Sequence, residues 1–139
     1  MKDCIFCKIV AGDIPATRVY EDDAVLAFLD IGPIVQGHTL VIPKAHFESL
    51  TTVPADLLAR VIEAVQRVAA AQMAGLKADG VNVHQSNGAV AGQVVPHVHF
   101  HVIPRFEGDG HRWNWTAGRY DNSAEMAAVA ERIRAALPR

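Results

Sequence analysis

The chain has 139 residues, half of them apolar and a fifth charged, with a formal net charge of −2. That balance excludes a disordered chain and a polybasic nucleic-acid binder, and the length fits one domain, 1–139, around one core. No run approaches the roughly 18 apolar residues of a membrane span and the N-terminus lacks a secretory pattern, so a cytoplasmic protein without a membrane partner is expected.

Taken in order, the chain first offers Cys4 and Cys7, its only cysteines, as C-x-x-C. In a reducing compartment this spacing means metal binding or redox work more often than a structural disulfide, and the spacing leaves metal and a thioredoxin-like pair both open. AVLAFLD (24–30) and HTLVIP (38–43) are short, apolar and rich in β-type residues, and read as strands joined by the turn IGPIVQG. From Pro54 to about Gly75, Leu57, Leu58, Val61, Ile62, Val65 and Val68 recur at helical spacing, with Pro54 suited to a first turn and Gly75 to a stop. GVNVHQS (80–86) reads as a strand with Val81 and Val83 on one face, followed by the glycine-containing loop NGAVAGQ and the strand VVPHVHFHVIP (94–104). A polar tail, 107–123, leads to SAEMAAVAERIRAAL, an Ala-rich helix with Ser123 as its N-cap. Strands gathered around one long helix predict an α+β fold, an antiparallel sheet of about five strands with a second, C-terminal helix.

On an extended strand, side chains alternate, so His97, His99 and His101 share one face while Val98, Phe100 and Val102 point to the core. Successive same-face residues lie about 6.5–7 Å apart, which strains a single metal site made from all three. A neutral imidazole keeps a nitrogen lone pair at pH 7, and one of the three could attack phosphorus. The glycines of NGAVAGQ let backbone approach a ligand closely; beside a histidine-lined strand they propose a phosphate site.

The run HVHFHVI follows the pattern histidine, apolar, histidine, apolar, histidine, apolar, apolar, and by it the chain resembles the histidine triad family of nucleotidyl hydrolases and transferases. The likeness extends through DCIFCKIVAGDIPA, EDDAVLAFLDI, GHTLVIPKAH and AGQVVPHVHFHVIPR, thus over most of residues 3–105, and fades in the tail from about residue 106. The resemblance implies His99 as nucleophile toward an α-phosphorus, His101 as the histidine that serves the phosphate or leaving group, and His38 as a support for both. It places Asp30 on the ribose hydroxyls, Ile5, Phe6, Ile9, Phe28 and Ile31 around the base, and the backbone of Gly92 and Gln93 at the phosphate. Two departures concern rate and leaving-group preference: Val94 stands where many relatives carry Ser or Thr, and Ser86 where they often carry Asn or Gln, with Asn87 beside it as a substitute. A zinc-containing branch of the family further implies a closed structural site of Cys4, Cys7, His46 and His97, one zinc per chain.

The function expected is therefore hydrolysis of purine nucleotides joined through the α-phosphate to an amine, a carboxyl or another nucleotide, by way of a nucleotidyl-histidine. The alternatives are a dinucleoside-polyphosphate hydrolase and a nucleotide-binding scaffold with little turnover. The family further implies a homodimer built through the long helix and a sheet edge, and the charge balance predicts no nucleic-acid partner. His84 and His111 read as structural, and Trp113 and Trp115 as a pocket cap, a dimer contact or surface packing.

Overall fold

The computed structural model describes residues 3–138. It begins with a helix, α1 (Ile5–Ala11), capped by the Cys4 side chain, which accepts from the Cys7 amide, and closed by Gly12 at φ 84, a left-handed conformation that glycine adopts without strain. Strands β1 (Arg18–Glu21), β2 (Val25–Leu29) and β3 (Thr39–Pro43) follow, then the long helix α2 (Ala55–Gly75), β4 (Gly80–Gln85), β5 (Phe100–Arg105) and α3 (Ser123–Ala135). The five strands form one sheet in the order β1-β2-β3-β5-β4, every neighbouring pair antiparallel. This is the α+β arrangement the strand and helix patterns predict.

The two faces of the sheet have different covers. Val25 and Ala27 of β2, Val41 of β3, and Phe100 and Val102 of β5 meet Val61, Ala64, Val65 and Val68 of α2. The alternate residues Leu26, Phe28, Leu40 and Ile42 meet Cys4, Phe6 and Ile9 at the N-terminus. Covered on both sides, β2 and β3 are apolar apart from the buried Thr39, which is why they read as continuous runs instead of alternating ones.

Several local expectations need correction. Helix α1 and strand β1 escape the sequence reading, being only seven and four residues long. Helix α2 ends at Gly75, where the sequence places its stop, but the cap is Leu76 and the positive φ of 59° falls on Lys77. The N-cap of α3 is Asn122, whose side-chain oxygen accepts from the Glu125 amide at 2.8 Å, and Ser123 is the first helical residue. The stripe on α2 divides: Val61, Val65 and Val68 enter this chain's own core while Ile62 stays exposed. Strand β5 starts at Phe100, so His97 and His99 stand just ahead of the ladder, where the Val98 amide donates to the Phe47 carbonyl at 2.7 Å. No helix of the described residues is long and apolar enough to cross a membrane.

Candidate active site and metal centre

The sheet face under α1 carries a cavity of about 350 Å³, inside the size range of small-molecule sites. Phe6 and Ile9 of α1, Phe28 of β2 and Leu40 of β3 form its apolar body; Asp30, just past β2, lines it together with His99 and His101, its carboxylate within 4.8 Å of a His101 nitrogen. Ile5, Ile31, Gly92 and Val94 line its rim, with Ile31 and Val94 almost wholly exposed. Ten of the residues singled out from the sequence are thus gathered around one cavity. A larger apolar cavity of about 760 Å³ lies on the opposite face, between the end of α2 and the segment before β3, and has no titratable lining group.

Hydrogen bonds fix which nitrogen of each ring carries its proton. The His99 Nδ1 lies 2.7 Å from the His97 carbonyl oxygen, which only accepts, so Nδ1 holds the proton and Nε2 keeps the lone pair. Burial pushes the His99 imidazole below its ordinary pKa and keeps that lone pair free. Phe6 stands edge-on to the His99 ring, with centroids 5.2 Å apart.

A second chain of bonds orders His101. The Ile34 amide donates to His38 Nδ1 at 3.1 Å, so His38 carries its proton on Nε2 and donates it to His101 Nδ1 at 2.9 Å. His101 then has its own proton on Nε2. Burial, followed by the neighbouring His99 and His38, lowers His101 to about 4, so the ring is neutral at pH 7. Burial likewise lowers His38, against the opposing pull of Asp30, whose Oδ2 lies 3.7 Å from His38 Nε2. One neighbour in the row therefore presents a lone pair and the next an N–H.

The glycine loop has a different geometry from the one expected. The Gly92 and Gln93 amides donate to the Ala89 and Gly88 carbonyls at 3.0 and 3.2 Å, closing the turn on itself instead of facing a ligand. Gly92, at φ 99, makes that tight turn possible. The Gln93 side chain is a strut, donating to the Glu48 and Val95 carbonyls and accepting from the Gly88 amide. Asn87 is equally engaged, bonded to Gln85 and to the Leu50 amide, which ties it away from the cavity. Ser86 bonds to His84 Nε2 at 2.9 Å.

Around His97 the opposite nitrogen is pinned. His97, completely buried, donates from Nε2 to the Pro43 carbonyl at 2.9 Å, which aims the Nδ1 lone pair at Cys4 Sγ, Cys7 Sγ and His46 Nδ1, 3.3, 3.6 and 3.2 Å away. Cys7 Sγ lies 3.3 Å from His46 Nδ1. A tetrahedral zinc, with Zn–S about 2.3 Å and Zn–N about 2.0–2.1 Å, sets N···N edges of about 3.3 Å and S···N edges of about 3.6 Å. The four donors have the chemistry and the spacing of such a shell, and all lie within 4.8 Å of one another. Asp30, His38 and His101 also cluster at that range, but there the facing lone pair of His101 is already occupied by the His38 N–H.

An antiparallel sheet of this order, with histidines at alternate positions over an apolar cavity closed by a carboxylate, is the arrangement of a histidine triad domain. The model of the HIT domain matches residues 11–108, and the chain belongs to that family. It is 43% identical over 138 residues to the protein hit of Bacillus subtilis, covering 95% of each chain. An adenosine 5′-monophosphoramidase of Candida albicans is 39% identical over 134 residues, with 88% of this chain and 86% of that one covered. Among solved structures, a HIT family member from Bacillus subtilis superposes with a TM-score of 0.92 at 42% identity over 99% of both chains. A zinc-bound histidine triad protein from Mycobacterium smegmatis does so with a TM-score of 0.77 at 41% identity, over 98% of this chain and 99% of that one.

Proposed function

We propose that the chain hydrolyses purine nucleotide conjugates at the α-phosphorus, with nucleoside phosphoramidates as the preferred class. The observation that carries this reading is the tautomer order of the row: a lone pair on His99 Nε2 beside an N–H on His101, both lining a nucleoside-sized cavity. In the first step His99 Nε2 bonds to phosphorus and the P–N bond breaks. The leaving nitrogen takes a proton by way of the His101 side, where the N–H hydrogen-bonds the departing atom or a phosphate oxygen. Water then adds to phosphorus, the P–Nε2 bond breaks, and the proton released restores the balance. Asp30 accepts the ribose hydroxyls, and Phe6, Ile9 and Phe28, with Ile5 and Ile31 at the rim, hold the base.

Cys4, Cys7, His46 and His97 would hold zinc as a closed structural site, supporting the fold and contributing no step of the chemistry. The zinc-bound relative favours this metal. A cytoplasmic homodimer of one-domain chains completes the proposal.

The test is turnover of adenosine 5′-phosphoramidate by the native chain and by His99→Ala. Release of ammonia and AMP by the former alone supports the mechanism; equal activity in both overturns it. Diadenosine polyphosphates in the same assay decide the neighbouring class through the ratio of kcat/KM values.

A further inference from the structure

His84 lies outside the run of alternating histidines, yet the sheet register sets it directly across from His101 on the edge strand. Its ring centroid is 5.6 Å from that of His101, and on it Trp113 of the tail is stacked, 5.5 Å away with 27° between the planes. The tryptophan is held in place: its indole N–H donates to Asn82 Oδ1 at 2.8 Å, on the same strand. Arg105 donates to that oxygen too, at 2.8 Å, and is itself gripped by both carboxylate oxygens of Asp109 and by the His111 carbonyl. His111 stands edge-on to the Trp113 ring, with centroids 5.2 Å apart. Trp113 thus retains about a third of its surface in solvent on a rigid mount, whereas Trp115 is 86% exposed.

Sheet order gives this wall a place in the reaction. The apolar body of the cavity lies over β2 and β3, the paired histidines stand on β5, and His84 lies one strand further on, over β4. A phosphorus at His99 and His101 with its nucleoside over β2 and β3 projects its remaining substituent toward β4. We infer that His84 and Trp113 form the wall against which the leaving group lies, and that they select leaving groups with a flat aromatic face. This rests on the hydrolase reading above. Trp113 would offer its π-surface, which favours an aromatic amine over ammonia, while Ser86, bonded to His84, fixes the imidazole plane.

Two uncleavable ligands isolate the wall from catalysis: adenosine 5′-sulfamate and its N-aryl derivative, which differ only in the aromatic ring. Calorimetry on the native chain, Trp113→Ala and Trp113→Phe would compare their Kd values. The expected result is tighter binding of the N-aryl ligand by about fivefold to tenfold in the native chain, erased by Trp113→Ala and largely kept by Trp113→Phe. Equal affinity of the two ligands in the native chain overturns the inference, as does equal weakening of both by Trp113→Ala, the mark of a merely structural role. Failure of the N-aryl ligand alone to bind overturns the wall, whereas failure of both ligands to bind the native chain overturns the nucleotide reading itself and the wall with it.

Discussion

Two histidine clusters meet in one short segment, and they differ in which ring nitrogen the backbone holds. At His97 the Pro43 carbonyl takes the Nε2 proton and turns Nδ1 inward, toward two sulfurs and a second imidazole. At His99 the His97 carbonyl takes the Nδ1 proton and leaves Nε2 free beside the cavity. A single main-chain oxygen, chosen differently two residues apart, separates the proposed ligand set from the proposed nucleophile. Both rings are buried and both are lowered by burial, so burial by itself does not distinguish them.

The largest effect that would break this comparison is on rate. His99→Ala removes the lone pair and should reduce kcat for adenosine 5′-phosphoramidate by roughly a thousandfold or more, while zinc content stays at that of the native chain. Mass spectrometry of quenched reactions should find a nucleotidyl adduct on the native chain and none on the variant. An adduct persisting in His99→Ala would move the nucleophile to another histidine.

The next effect falls on the other cluster and on stability. Cys4→Ser replaces a buried thiol that also caps α1, so the variant should lose zinc and about 3 kcal/mol or more of stability. Elemental analysis and urea unfolding would read the two losses. Native zinc content and an unchanged midpoint would remove the metal from the account.

Much of this is legible in the amino-acid sequence. Alternation places the three histidines on one side, apolar runs locate β2 and β3, and helical spacing locates α2. The unread parts have physical causes. Helix α1 shows only Phe6 and Ile9 as a buried pair over seven residues, too little for a periodic signal, although Gly12 marks its end. Strand β1 is a four-residue edge with a register shift between Arg18 and Tyr20, and its sides do not alternate cleanly. The sequence places His84 on its strand but not in the site, because only the register of β4 against β5 brings it to His101. The parity of Val81 and Val83 put it on the opposite face without saying which residue it would meet there. Nor can a glycine count show that the Gly92 and Gln93 amides close on their own loop.

A smaller change would sharpen the catalytic side. His38→Phe keeps a ring in the space but removes the N–H that orders His101, leaving His101 free to take either tautomer. A drop in kcat of roughly a hundredfold with KM little changed is expected, since the hydrogen bond at issue is to the reacting end and not to the nucleoside. A rise in KM with kcat intact would mean that His38 acts through Asp30 and substrate binding instead.

The smallest expected effect is on the pH dependence of stability. His101 stands at about 4 in the folded chain against 6.5 for an unperturbed histidine, so between those values the unfolded chain binds the proton that the folded chain refuses. Stability therefore falls as pH drops through that window and gains nothing from this group above it. His38, lowered by burial, acts in the same direction. Acid release of metal would add to the same slope, so the discriminating measurement is urea unfolding of native and His101→Asn chains at pH 7.5, 5.5 and 4.5. The asparagine has no proton to refuse, and its stability should decline less over the acidic steps. Parallel curves would assign the whole acid response to the sulfur–nitrogen cluster and leave the His38–His101 pair as a device for rate alone.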